Sequence, residues 1–388
     1  MPNPHGGTNV DPAAAASLPS FFPSFSLFCQ NPLASPMRSQ GEEKGVLPVK
    51  CGVVDREDNR ELLSGKECRE MSVSCGRPFI SKLLTLATVL AVAGMGQVVS
   101  FGLAEEAVTA APRLAPLASY GVASLGASAR GAALTADGKT LYVAGIQDKA
   151  IWKVETETGN LLARADLAAI NPEAWGKAVA VDGEGRVWAT GTVPELYVFD
   201  ANLELEARFD LARFGLVNPE GVAVDPKGRI YVTDRRGSVG VYRFVKDEAG
   251  EIALDSSWGE GGFVALGADL RQPAFNPGVG LVVGDFAGDT LYYLWAVDGS
   301  VYELARLASA FHVAADEQGR SYVVHYGSEP ALTILDDKGE VIATFSKAEL
   351  GIETEAAGVA VSPDGRILVV LDQRPADGLN VKVFRVEW

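Results

Sequence analysis

The chain has 388 residues, 47% of them apolar, with 50 acidic against 34 basic side chains. That apolar share supports one or two domains with a substantial core and excludes a disordered chain. A net charge of -16 excludes nucleic acid and anionic lipid surfaces as expected partners, since both are drawn to basic faces.

In chain order, residues 1–70 mix Ala/Ser/Pro runs with charged patches and hold no sustained period of 2 or 3.6, so they are predicted to be unstructured. Residues 80–104 read ISKLLTLATVLAVAGMGQVVSFGLA, carry only Lys82 as a charge and follow Arg77. A basic start, an apolar run and small residues at its end form the layout of a signal peptide, with cuts after Ala93 or Ala104; an uncleaved anchor is the other reading of the same run. Either places the remainder outside the cytoplasm, in the periplasm or beyond the cell. Because a signal peptide starts near the N-terminus, Met71 is the expected translation start and 71–104 the leader. Nine acidic and nine basic residues fall in the first 104, so the whole net charge belongs to residues 105–388. Cys29, Cys51, Cys68 and Cys75 are the four cysteines of the chain, which leaves residues 105–388 without a thiolate nucleophile or disulfide.

Residues 105–388 are governed by a repeat. Six segments share an apolar strand, a turn with Gly and usually Asp, and a strand rich in Val, Ile, Tyr and Trp: GAALTADGKTLYVAG from Gly131, AVAVDGEGRVWATG from Ala178, GVAVDPKGRIYVTD from Gly221, LVVGDFAGDTLYYLW from Leu281, HVAADEQGRSYVVHY from His312 and GVAVSPDGRILVVLD from Gly358. Each unit, with the two strands predicted after it, reads as a four-stranded antiparallel meander of about 47 residues, and six such meanders around an axis form an all-β, six-bladed β-propeller. The turn glycines, Gly138, Gly185, Gly228, Gly288, Gly319 and Gly365, are spaced 47, 43, 60, 31 and 46. The third blade is therefore predicted long and the fourth short, without a full outer strand. After Asp372 one strand remains, VKVFRVEW, so the last blade needs an outer strand from elsewhere; Tyr120–Leu125 is placed to supply it and close the ring.

At GVAVDPKGRIYVTD, after Asn218-Pro219-Glu220, and at SSWGEGG, residues 256–262, the chain resembles the NHL-repeat family of six-bladed propellers. Its first unit is closer to the extracellular YVTN type. The resemblance covers nearly all of residues 115–388 and implies a fold, while chemistry has to be argued from the site. The same superfamily holds the gluconolactonase and regucalcin-like hydrolases, whose divalent cation sits on acidic or amide residues at the start of the innermost strands. Aligned on the turns, those positions here are Arg130, Lys177, Glu220, Gly280, Phe311 and Ala357, with Asn276 or Asp285 entering the ring if the fourth blade is shifted. Only Glu220 fits the metal pattern, and two cations on the same rim oppose a bound cation.

The leading expectation is thus an exported binding or scaffold module, with no cofactor, that takes a small anionic ligand, a peptide or a protein through its loop face and channel mouth. Arg130, Lys177, Arg235 and Arg236 are its candidate anion-binding residues; Trp295, His325 and Tyr326 are placed on the same face by the loops after the second strands. His312, at the start of an inner strand, reads either as a packed histidine or as a base facing the channel. The alternative is a metal-dependent lactonase or arylesterase-like hydrolase of the gluconolactonase superfamily, with calcium as the candidate metal, Glu220 as metal ligand and His312 as base. No serine stands in a nucleophile elbow, and two histidines make neither a zinc site nor a triad.

Overall fold

The computed structural model describes residues 111–122, 128–277 and 280–388, and the backbone of 25–29 and 51–55. It divides into two units, 1–105 and 106–388. In the first, Phe25–Cys29 pairs antiparallel with Cys51–Asp55, a short hairpin-like pairing within a stretch predicted to be unstructured. The remainder of residues 1–70 and the leader 71–104 lie outside the described residues.

The second unit is a six-bladed propeller of antiparallel blades. From the axis outward, blade 1 is Ala129–Leu134, Thr140–Gly145, Ala150–Glu155 and Leu161–Asp166. Blade 2 is Gly176–Val181, Val187–Gly191, Glu195–Phe199 and Leu205–Asp210. Blade 3 is Pro219–Val224, Ile230–Asp234 and Gly240–Lys246, whose outer edge carries both Ile252–Leu254 and Phe263–Ala265. Blade 4 is Ala274–Asn276, Gly280–Asp285, Thr290–Trp295 and Val301–Arg306. Blade 5 is Ala310–Ala315, Ser321–His325, Leu332–Leu335 and Val341–Phe345. Blade 6 is Ala356–Val361, Ile367–Asp372 and Val381–Glu387, closed by Arg113–Tyr120 from the other end of the chain.

Two expectations need correction. The closing strand is Arg113–Tyr120, ending where Tyr120–Leu125 was predicted to begin. Blade 4 has a full outer strand; LVVGD is its second strand rather than its first, and the short member is the inner strand Ala274–Asn276. The extra length assigned to blade 3 therefore contains an additional edge strand and the innermost strand of blade 4.

The turn grammar has a physical basis repeated in three blades. Asp225 Oδ1 accepts the backbone N–H groups of Lys227 and Arg229, while its other oxygen faces the Arg229 guanidinium and the Tyr231 hydroxyl. Asp316 does the same for Gln318, Arg320 and Tyr322, and Asp182 for Glu184, Arg186 and the Trp188 indole. Gly228, at φ 76, takes the left-handed turn position that a side chain would strain. The strands flanking the turn bury alternating aliphatic and aromatic residues in the boundaries between blades. The described core accordingly separates by boundary: Trp188, Val222 and Tyr242 belong to the packing of blades 2 and 3, and Tyr322, Val359 and Phe384 to that of blades 5 and 6. A single four-stranded blade leaves such faces wet, and closing the ring covers them. No helix among the described residues is long and apolar enough to cross a membrane.

Candidate functional site

The innermost strands share one irregularity. In blades 1, 2, 3, 5 and 6 the register with the second strand jumps by one residue at the same place, leaving Arg130, Lys177, Glu220, Phe311 and Ala357 unpaired in the ladder. In blade 4, Leu270 bridges Asp285 and the Arg271 N–H donates to the Gly284 carbonyl, so Arg271 takes the matching position. A bulge re-aims its extra side chain out of the ladder. Here it turns one residue from each of blades 1 to 4 toward a common point.

That point is the Glu220 carboxylate, which is fully buried. Arg130 from blade 1 hydrogen-bonds Oε1. Arg271 Nη1 reaches the same oxygen at 2.9 Å, and Lys177 Nζ lies 2.9 Å from Oε2. Arg235, on the loop after the second strand of blade 3, stands 4.0 Å from Oε2 and pairs with Asp269 Oδ1 at 2.8 Å. Asp269 also accepts from Arg271 Nη2 at 2.6 Å. Lys177 is held further by the side chain of Asn218 and the Pro219 carbonyl. The cluster therefore gathers four cationic side chains around two carboxylates, in a part of the molecule where the Arg130 side chain is 12% exposed and that of Arg235 27%.

Burial and neighbouring charge together set the proton affinities of the cluster. Burial alone would raise the pKa of Glu220, but Arg130, Lys177 and Arg271 outweigh it and bring it to about 2. Lys177 is pushed down by burial and by Arg130 and Arg235, although Glu220 pulls the other way. Arg271 is lowered as well, by burial and by its cationic neighbours, against Glu220 and Asp269. Desolvation is the first cause of the lysine's depression, so the surplus of positive charge rests on the side chains themselves, four cations around two carboxylates.

An aromatic wall backs the cluster. The Phe311 ring lies under both guanidinium groups, 5.1 Å from that of Arg130 and 4.8 Å from that of Arg271, and Phe286 is 5.0 Å from the latter. Tyr326 stacks on Phe311 at 4.8 Å and donates its hydroxyl to Gln373 at 2.7 Å. His312 stacks on the same Phe311 at 4.7 Å and is 1% exposed. Burial, then the charge of Arg130, drives the His312 pKa far below the usual imidazole range, and neither ring nitrogen makes a well-formed hydrogen bond.

The structure brings Arg130, Lys177, Glu220, Arg235, His312 and Tyr326 together and leaves three candidates elsewhere. Arg236 is exposed and enters no ion pair among the described residues; its backbone N–H donates to Asp234. His325 is buried, with Nδ1 2.6 Å from the Ala308 carbonyl and Nε2 2.8 Å from Thr333 Oγ1, so both nitrogens serve the packing of blade 5. Trp295 ends the third strand of blade 4, not the second. The matching loop position is Phe286, whose N–H donates to the Asp269 carbonyl as the Tyr326 N–H donates to Ser309. Gly280 starts a second strand, Asp285 caps the loop of blade 4 through the N–H groups of Ala268 and Asp269, and the Asn276 amide donates to the Gly319 carbonyl. None of these three joins the cluster.

Arg271, Asp269 and Phe286, which the sequence did not single out, complete the site together with Phe311 of the inner ring. Chemically, the arrangement suits recognition of negative charge. A carboxylate at pKa about 2 is a poor base at neutral pH, and both its oxygens already face cations. Among the described residues no three His, Cys, Asp or Glu side chains converge as metal ligands.

Comparison with known proteins agrees with this architecture. The NHL repeat family model matches residues 216–238, the Glu220 strand and the one after it. No curated protein matches the sequence. Among solved structures, streptogramin B lyase is similar over 71% of this chain and 98% of its own, at 10% identity and a TM-score of 0.50. Virginiamycin B lyase from Staphylococcus aureus is similar over 71% of this chain and 99% of its own, at 13% identity and a TM-score of 0.52. At such identities the likeness is one of fold.

Proposed function

We propose that this NHL-repeat, six-bladed propeller is an exported binding module whose channel mouth takes an anionic ligand, a small carboxylate or phosphate or an acidic group of a peptide. The observation that carries the reading is the unbalanced cluster of Arg130, Lys177, Arg235 and Arg271 around Glu220 and Asp269 in a chain whose net charge is -16. A local positive site on an acidic protein concentrates small anions while the rest of the surface repels larger polyanions. Guanidinium groups fit carboxylate and phosphate oxygens in pairs, and here those of Arg130 and Arg271 lie over aromatic rings that help hold them in place before any ligand arrives. Export rests on the leader-like run before residue 105.

The test is a thermal-unfolding screen of residues 105–388 against acetate, succinate, citrate and phosphate at constant ionic strength. A ligand present at 100 times its dissociation constant stabilises the native state by about 2.7 kcal/mol. The reading predicts such a shift for at least one anion, and its loss in Arg130→Gln. A flat response to every anion contradicts it.

A further inference from the structure

Trp295 lies away from the channel mouth and forms part of a second arrangement on blade 4. Its ring stands at 88° to that of Tyr293 with centroids 5.9 Å apart, and Tyr302, directly across the ladder from Tyr293, lies nearly parallel to it at 6.0 Å. The three rings form a corner with a floor and a wall. With Asp298 and Ser300 they line a cavity of about 320 Å³. The two outer rings are open to solvent, Trp295 at 42% and Tyr302 at 54%, whereas Tyr293 is buried and its hydroxyl has no partner.

This corner is held rigidly from behind. The Trp258 indole donates to the Trp295 carbonyl at 3.0 Å, and the guanidinium groups of Arg243 and Arg229 donate to the Ala296 carbonyl at 2.6 and 3.1 Å. Arg243 is itself buried and fixed by Asp255 at 2.8 Å. Three side chains from blade 3 thus set the backbone on which Trp295 and Asp298 are displayed. Exposed aromatic rings on a backbone fixed this firmly form a preorganised surface for a ligand.

Charge selects the ligand. No Lys or Arg lines the cavity, and the Asp298 carboxylate, which accepts from the Ser300 N–H at 2.9 Å, enters no ion pair among the described residues. Aromatic faces attract cations through their quadrupole, and a carboxylate at the rim adds to that attraction. The -16 charge of the chain acts in the same direction. We infer that the corner formed by Tyr293, Trp295 and Tyr302, with Asp298 at its rim, is a binding site for a quaternary or methylated ammonium group. An ammonium with its charge spread over methyl groups sheds water easily and presents an apolar surface to the rings, which a compact ammonium does not. The group can belong to a free small molecule or to a methylated lysine of a peptide.

The experiment follows Trp295 by intrinsic fluorescence and calorimetry during titration with tetramethylammonium and choline. The neutral isostere 3,3-dimethylbutan-1-ol and a peptide carrying trimethyllysine, beside its unmethylated form, are titrated in parallel. The cations are expected to bind, the neutral isostere at least about fivefold more weakly, and Trp295→Ala and Tyr302→Ala to weaken the cations by a similar factor. Both variants alter exposed side chains, and circular dichroism verifies their fold. Asp298→Asn is expected to weaken the cation and leave the isostere unchanged. If the methylated peptide exceeds choline, the source is a protein tail; if choline equals or exceeds it, the source is a free cation, and either result upholds the site. Equal binding of choline and its isostere, an absence of cation binding, or unchanged affinity in Trp295→Ala overturns the inference.

Discussion

Glu220 of blade 3 and Arg271 of blade 4 meet across a blade boundary, guanidinium Nη1 to carboxylate Oε1 at 2.9 Å. Arg130 and Lys177 reach the same carboxylate from blades 1 and 2. One buried carboxylate therefore ties together four blades.

Glu220→Gln removes the carboxylate that, among the described residues, all three of these cations share. Taking one partner from a buried, hydrogen-bonded charge cluster costs about 3–5 kcal/mol, so the variant should unfold at markedly lower denaturant than wild type. Chemical denaturation at pH 7 measures this; a loss below about 1 kcal/mol would mean that the cluster is solvated rather than buried.

The pH dependence of stability carries two signatures with separate windows. Glu220 has its folded pKa at about 2 against an ordinary 4.5, so its contribution, about 3 kcal/mol, is complete above 4.5 and disappears as pH falls toward 2. His312 is a base whose folded pKa lies far below the ordinary 6.5, and burial lowers His325 as well, so both contribute in this window. The unfolded chain binds a proton below that pH which the folded chain refuses, so stability already declines as pH falls through 6.5. Urea midpoints at pH 7.5 and 5.5 should therefore differ in wild type and differ less in His312→Gln. An unchanged pH difference in the variant would show that His312 is solvated and protonated in the fold.

Closure makes the strand Arg113–Tyr120 essential. Leu114, Leu117 and Tyr120 pack on the cores that blade 6 shares with its two neighbours, and the Tyr120 hydroxyl donates to the Thr156 carbonyl at 2.9 Å. Both proposed cuts, after Ala93 and after Ala104, spare this strand. A protein starting at residue 105 should melt cooperatively, whereas one starting at 121 exposes the edge of Val381–Glu387 and should melt far lower or aggregate. Equal melting temperatures would show that the ring does not depend on its N-terminal strand.

Loop entry into the blades rests on carboxylates at the ends of second strands. Asp372 accepts from the N–H groups of Glu353 and Thr354 and from the Thr354 hydroxyl, as Asp234 accepts from the N–H groups of Val217 and Asn218. Asp372→Ala strands those donors and should cost about 1–3 kcal/mol; Asp372→Asn keeps an acceptor and should cost less. Thermal unfolding of the two variants ranks them, and an equal effect would point to loss of charge rather than loss of acceptor.

The ring and most of its bulge positions were legible because the Asp-x-x-Gly turns are built from local hydrogen bonds. Counting back from a turn such as Asp225 to Gly228 reaches Glu220 without any tertiary knowledge, and the same count finds Arg130, Lys177, Phe311 and Ala357. Blade 4 defeats the count because the short link after Asn276, between its first two strands, carries no Asp, while the conspicuous GDFAGD ends its second strand and leads into its third. Arg271 and Phe286 were missed for that reason, and Trp295 was assigned one strand too early. The spacing held the signal: the intervals of 60 and 31 on either side of Gly288 depart from the 43 to 47 of the other blades, which marks Gly288 as the wrong turn glycine. The pairing of Arg235 and Arg271 with Asp269 was not legible, since it joins two loops that only blade packing brings together.

The measurement that bears most directly on the anion site is isothermal titration of the anion selected by the thermal screen into residues 105–388, repeated at several pH values below the ordinary lysine pKa of 10.5, from which burial lowers Lys177, in buffers of different ionisation enthalpy. An anion beside Lys177 raises its proton affinity, so binding should take up protons and the apparent enthalpy should vary with the buffer. Lys177→Met should abolish that variation, and Arg271→Gln should weaken binding by roughly tenfold or more. Binding without proton uptake, or with equal affinity in Arg271→Gln, would contradict the assignment of the ligand to this cluster.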